Sequence, residues 1–318
     1  MVETVEVNDV YLAPHCRLGE GPLYDPKSDI LLWVDIIGKK VHWVDYSRSD
    51  DVEYTRKSHK WVSVNNYVGC MGLTDQRLKY IAAAELGFGV VDLTQAKGQG
   101  EELEIEYKDV VHKPEDMMRF NDGVIDPVGR FFAGSMWEWR GAPHSNGKLY
   151  CLDAEGFVSV AHEGIGTPNG MAFSQDAKTF FLTDSDKQTI FKFDYDVKTG
   201  ALSNQREFLK VDGGMVPDGF HMDTAGNFWI AIWGGNAVRK YSPQGEVLQE
   251  YKFPAQRISC TAFAGKNMDE LVVTSASLHL RDPDYVYPET GEADKGGDIF
   301  RIKLPGVTGA NRNVYKLN

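Results

Sequence analysis

Residues 20–45, "EGPLYDPKSDILLWVDIIGKKVHWVD", and residues 169–194, "NGMAFSQDAKTFFLTDSDKQTIFKFD", share one plan. Each opens on a polar residue and a glycine and runs into an apolar strand. An Asp-containing turn follows, then a strong strand ending in Asp, a polar turn, and a third strand ending in Asp. The plan recurs in "DGFHMDTAGNFWIAIWGGNAVRKYS" from Asp218 and in "NDGVIDPVGRFFAGSM" with "GKLYCLD" from Asn121. Weaker copies start at Val68 ("VGCMGLTDQRLKYIAAAELGFGVVD") and at Ser259 ("SCTAFAGKNMDELVVTSAS" with "GGDIFRIKL").

The strand reading rests on short runs of aromatic and β-branched residues that end in Gly, Asp, Asn or Pro. Helical periodicity is nearly absent. The best candidate, "LTQAKGQGEELEIEY" (93–107), is interrupted by two glycines. Repeats of roughly 40–50 residues, each a three- or four-stranded meander, predict an all-β fold of the six-bladed β-propeller type. A single domain over 1–318 is expected, with the N-terminal "ETVEVNDVYL" supplying the outer strand of the last blade and closing the ring. No Gly-His…Trp-Asp signature recurs, so WD40 blades are not indicated.

Composition narrows the function. The chain has 318 residues, 34 Lys and Arg against 46 Asp and Glu, and a net charge of −12. An acidic chain without a basic cluster is a poor nucleic-acid binder. Apolar runs fall well short of the ~18–20 residues of a membrane helix. "MVETVEVNDVYLAPHC" has neither a basic nor an apolar leader region. Cys16, Cys70, Cys151 and Cys260 lie far apart without a CxxC, and buried free thiols in a reducing, cytoplasmic setting are expected.

In a propeller the first strand of each blade lines the central channel, so the residue just before it should sit at the channel mouth. Here that position reads Glu20, Val68, Asn121 or Asp122, Asn169, Asp218 and Ser259. Asn-Gly and Asp-Gly are ordinary turn dipeptides, but turn chemistry does not ask for Glu before Gly21. Two carboxylates and one or two amide oxygens drawn together would suit a hard cation such as Ca²⁺, Mg²⁺ or Mn²⁺. Elsewhere, His221 is expected to pack inside its blade, and His112, His144 and His162 to lie at the surface. "WEWRGAPHSNG" (137–147) and "LHLRDPDYVYPETGEADKGG" (278–297) are long loops carrying Trp137, Trp139, Tyr285 and Tyr287.

"LGEGPLYDP", "RFNDGVIDPVGRFFAGSM", "PNGMAFSQDAKTFFLTDS", "VPDGFHMDTAGNFWIAIWGG" and "GGDIFRIKLPGVTG" resemble the SMP-30/gluconolactonase/luciferin-regenerating-enzyme family, of the regucalcin-like kind. The resemblance spans nearly the whole chain. It implies a six-bladed propeller that hydrolyses sugar lactones with one divalent metal. Ca²⁺ is the first candidate; Mg²⁺, Mn²⁺, Zn²⁺ and Fe²⁺ are the others. It implies Glu20, Asn169 and Asp218 as metal ligands and Asp218 as general base. Arg119 and Asn121 of "RFND" carry over as substrate contacts. The regucalcin-like members hold an acidic pair after the "AGTM" stretch; here "AGSMWEWR" keeps Glu138 and has Trp139 where a second acid would stand, so Glu138 is a substrate-contact candidate and the sugar may differ. Arg119 has a plainer reading as a surface arginine paired with Glu115 or Asp116.

The expected partner is a small sugar lactone, bound by a monomer or weak homo-oligomer, with no nucleic acid or membrane. Rival readings keep the metal site for phosphotriester hydrolysis, or make the chain a non-enzymatic calcium-binding regulator. No G-x-S-x-G elbow is present, and "GIGTPNG" lacks the Lys-Ser/Thr of a phosphate loop.

Overall fold

The expected strand runs form strands, and they do so as antiparallel meanders. The structure, a computed structural model, describes residues 2–138, 147–282, 284 and 294–317. Two compact units contain them: Met1–Trp61 with Asp212–Ala310, and Val62–Val211 with Asn311–Asn318.

The first unit holds three meanders. One runs Gly19–Asp25, Ile30–Asp35, Lys40–Asp45. The second runs Val216–Met222, Phe228–Trp233, Ala237–Tyr241, Val247–Lys252. The third runs Arg257–Ala264, Glu270–Ala276, Ile299–Lys303. Val10–Leu12 adds antiparallel to Ile299–Lys303, as expected of the N-terminal segment. Glu3–Glu6 does not follow it there; it pairs parallel to Val247–Lys252.

The second unit repeats the pattern. Its meanders are Val68–Thr74, Lys79–Ala84, Gly87–Asp92, Glu106–Val110; Met118–Ile125, Phe131–Trp137, Gly147–Leu152, Val158–Ile165; and Pro168–Phe173, Thr179–Asp184, Thr189–Tyr195, Leu202–Lys210. Val314–Tyr315 adds parallel to Val68–Thr74.

Strand chemistry tracks position. Ile30–Asp35 (ILLWVD) is buried at every residue, as a strand covered on both faces must be. Leu202–Lys210 (LSNQREFLK), at the outer end of its meander, is mostly exposed and polar. Each unit fills its own core: Trp229, Phe263 and Phe300 sit in one cluster of the first, Phe88, Phe120 and Phe131 in one of the second. The Asp residues that close strands are turn formers. Asp25 Oδ1 accepts the N–H of Lys27, Asp126 Oδ1 those of Val128 and Arg130, and Asp223 Oδ1 those of Ala225 and Asn227.

The sequence hides one short helix, Val52–Lys57, capped by the Asp51 side chain on the N–H of Tyr54. The stretch 93–107 is not helical beyond the 3₁₀ turn Leu93–Gln95; it forms Glu102–Leu103 and begins Glu106–Val110. Among the described residues no helix is long and apolar enough to cross a membrane.

Candidate functional site

The repeated polar residue lies inside the first strand of each meander, not in the turn before it. Glu20 is the second residue of Gly19–Asp25 and Asn121 the fourth of Met118–Ile125. Asn169 is the second of Pro168–Phe173, and Asp218 the third of Val216–Met222. At every one the register slips: between Glu20 and Leu23, Val68 and Cys70, Phe120 and Gly123, Asn169 and Met171, Pro217 and Phe220, and Ile258 and Cys260. A bulge bends the strand and re-aims the side chain it carries. Each polar-Gly pair, at Glu20, Asp122, Asn169 and Asp218, falls at a bulge, while Val68-Gly69 and Ser259-Cys260 bulge without one.

The glycines serve close strand approach. A Cβ on Gly219 would lie 2.3 Å from Cys260 Sγ, and one on Gly69 only 2.4 Å from the Phe120 carbonyl oxygen. First strands thus pack against their neighbours. In one unit Arg257–Ala264 touches both Gly19–Asp25 and Val216–Met222; in the other Met118–Ile125 touches both Val68–Thr74 and Pro168–Phe173. The Ser259 hydroxyl donates to the Gly19 carbonyl at 2.6 Å, tying two of these strands together.

In the first unit Glu20 and Asp218 are buried, at 6% and 5% exposure. Glu20 Oε2 accepts the N–H of Gly21 at 3.1 Å. Carboxylates this deep are tolerated where charge and hydrogen bonds compensate them.

In the second unit four of the expected residues form one hydrogen-bonded chain. Arg119, 3% exposed, donates through Nε to Glu138 Oε2. Its Nη1 donates to the Phe120 carbonyl at 3.0 Å and to Asn121 Oδ1 at 2.6 Å. Asn121 Nδ2 donates to Asn169 Oδ1 at 2.7 Å and to the Pro168 carbonyl at 2.9 Å. Asn169 Nδ2 in turn donates to the Ser185 hydroxyl at 2.8 Å. Arg119 is thus buried and paired with Glu138, and the surface pairing with Glu115 or Asp116 is not its role. Both N–H groups of Asn121 are committed within the chain, and its Oδ1 accepts from Arg119. Among the described residues Arg119 Nη2, a two-hydrogen donor, makes no hydrogen bond.

Sequence reasoning missed Ser185 and the Pro168 carbonyl. Ser185 follows the strand-end Asp184, and nothing in "TDSDK" marks it as the support of a residue sixteen positions earlier. Trp139, His144, Tyr285 and Tyr287 lie outside the described residues. His112 is buried rather than exposed, between the rings of Phe120 and Tyr150. His162 is half-buried against Phe193. His221 packs as expected; its Nδ1 accepts the N–H of Phe263 at 2.9 Å. All four cysteines are buried thiols outside any disulfide, and burial pushes the Cys151 thiol up to about 12.

The chain is an all-β, propeller-like repeat of meanders. Residues 18–277 match the SMP-30/gluconolactonase/LRE-like region, and the chain is a member of that family. Among its relatives, the regucalcin of Danio rerio is 35% identical over 297 residues, 92% of each chain. The pentonolactonase XacC of Haloferax volcanii is 32% identical over 296 residues, 91% of each. A solved luciferin-regenerating enzyme superposes with a TM-score of 0.81 at 30% identity, covering 95% of this chain and 96% of that one.

Proposed function

We propose that this chain is a metal-dependent hydrolase that opens sugar (aldono-) lactones to the sugar acid. The reading keeps the single-domain, six-bladed propeller expected from the repeat. It assigns Glu20, Asn169 and Asp218 as ligands of one divalent cation, Ca²⁺ first. The observation that supports it is the placement of these oxygen donors at bulges of first strands, in a chain 32% identical to a pentonolactonase. Two carboxylates and an amide oxygen are the donor chemistry of a hard cation. When bound, such an ion polarises a lactone carbonyl and makes a nearby water more acidic.

The chain's own groups do the rest. Asp218 takes a proton from the water whose oxygen adds to the lactone carbonyl carbon. It returns that proton to the ring oxygen as the carbon–oxygen bond breaks, so no other reactant is needed. Arg119 Nη2 holds a lactone oxygen, and its charge favours the carboxylate product. Glu138 and Asn121 fix the guanidinium on two sides, so the fork is oriented before substrate arrives. Asn121 also holds the Asn169 oxygen in one orientation.

Proton release on adding glucono-, galactono- and xylono-lactones tests this, before and after chelation and after adding back Ca²⁺, Mg²⁺ or Mn²⁺. Asp218→Asn is expected to lower turnover by roughly 10²–10⁴-fold with an unchanged β-type circular dichroism spectrum. Full lactonase activity in that variant sinks the assignment. Paraoxon turnover without lactone turnover would move the chain to the phosphotriesterase reading. Calcium binding with neither activity would make it a regulator.

A further inference from the structure

A second cluster of ligand-type side chains lies on the meander that begins at Glu20, and the lactonase reading does not use it. Cys16, Asp35 and His42 are 0%, 4% and 2% exposed. One ligand atom from each falls within 4.8 Å of the others, the sole such His/Cys/Asp/Glu group among the described residues. Cys16 Sγ stands 4.0 Å from His42 Nε2. We propose that Cys16 Sγ, His42 Nε2 and the Asp35 carboxylate form a binding site for a borderline-soft divalent cation, Zn²⁺, separate from the oxygen-donor site.

Three features of the surroundings support it. First, each ligand is held by its neighbours. Asp35 accepts the N–H groups of Arg17, Leu18 and Gly38, all at 2.9 Å, which leaves a carboxylate lone pair to give. Second, His42 Nδ1 lies 3.0 Å from His59 Nε2. Such a contact needs one donor and one acceptor. With His42 Nδ1–H donating to His59, Nε2 is left bare toward Cys16. That is the arrangement in which a metal-binding histidine gives its other N–H to a fixed partner. The Trp33 ring stacks over both imidazoles, at 5.3 and 5.4 Å, and keeps the pair flat.

Third, Trp33, which shares a core cluster with Cys16, has a buried Nε1 hydrogen with no acceptor among the described residues. A thiol is a weak acceptor and a metal-bound thiolate a good one, so a thiolate at Cys16 would offer that hydrogen a partner.

Charge and size also agree. One thiolate, one carboxylate and a divalent ion sum to zero, the least costly charge to bury. Tetrahedral bond lengths put sulfur and nitrogen about 3.6 Å apart, so the 4.0 Å separation closes by roughly 0.4 Å on binding, and the carboxylate oxygen, within 4.8 Å of both, also moves in. Thiolate, imidazole and carboxylate together select Zn²⁺ over Ca²⁺ or Mg²⁺.

The test uses the full chain, stripped with chelator and titrated with Co²⁺ and then Zn²⁺. Co²⁺ is expected to raise a thiolate-to-metal charge-transfer band that Zn²⁺ abolishes. The oxygen-donor site has no sulfur, so the band reports this site alone and should persist in Asp218→Asn. Cys16→Ala should remove the band. Should that variant fail to fold, His42→Gln should weaken Zn²⁺ binding by at least about 100-fold, measured by chelator competition. His59→Ala, a positioning change, should weaken it about 10–100-fold without removing the band. A wild-type chain with no thiolate band, or a folded Cys16→Ala that keeps it, overturns the proposal. Either result leaves the lactonase reading untouched, since neither reads lactone turnover.

Discussion

Arg119 shows how much a single side chain can organise. Its guanidinium makes three contacts, with Glu138, the Phe120 carbonyl and Asn121, and the proposed lactone contact falls to Nη2. Lysine carries the same charge on a stem that cannot make that fork. Arg119→Lys is therefore expected to lower kcat/KM for lactone roughly 10–100-fold, about 1.4–2.7 kcal/mol, measured by steady-state kinetics on folded protein. An unchanged kcat/KM would show that the fork is only structural. His112 makes a different prediction. Burial, reinforced by the charge of Lys148 and opposed by Asp116, holds its pKa below the usual histidine value. Its Nε2 is buried without a hydrogen-bond partner. A depressed folded pKa contributes stability above the unfolded value, about 6.5, and loses it as pH falls through the folded one. Denaturant midpoints should fall between about pH 7 and pH 5, and His112→Phe should flatten that slope. A parallel slope in the variant would exclude His112 as its source.

At the scale of the strand, the bulge is the device that matters. It recurs on the first strand of each meander and, except at Val68–Cys70, falls at a polar side chain. The glycine beside it lets the next first strand come close. The cost of adding a methyl there depends on what it meets. At Gly69 it meets the backbone of Phe120 and Asn121, which cannot step aside. Gly69→Ala should destabilise by about 1–3 kcal/mol, seen as a lower urea midpoint at unchanged m-value. At Gly156, where φ is +91° and nothing lies within 4 Å, alanine meets only backbone strain. Gly156→Ala should cost about 1–2 kcal/mol from that strain, less than the loss at Gly69. Equal losses at the two sites would show that close approach is not what Gly69 provides.

At the scale of the molecule, the N-terminal segment does two jobs of unequal weight. Glu3–Glu6 is largely exposed, and its parallel pairing covers an outer strand. Val10–Leu12 buries Tyr11 and Leu12 at 5% and 3% exposure. Removing residues 2–7 should therefore lower the thermal midpoint only slightly. Removing residues 2–12 uncovers two core side chains worth about 1.5–3 kcal/mol each and should lower it by many degrees. Comparable midpoints for the two truncations would mean that the Ile299–Lys303 edge needs no cover.

Much of this was legible in the sequence because it is periodic and local. Strand runs, Asp-closed turns and a repeat of roughly 40–50 residues follow from backbone sterics and from which side chains bury well. The same repetition brought out one position that reads Glu20, Val68, Asn121 or Asp122, Asn169, Asp218 and Ser259, and the family resemblance narrowed it to Glu20, Asn169 and Asp218. Their place at bulges within strands, rather than in turns, was not legible, because a bulge is a mismatch between two strands and neither sequence alone contains it. Only the tertiary structure joined Arg119 to Glu138 and Asn121 to Asn169, buried His112, and gathered Cys16, Asp35 and His42 around one point. Those pairings come from strand register and from packing between segments distant along the chain. A residue's own neighbours in sequence determine its element; which distant side chain it meets is decided by how the elements pack.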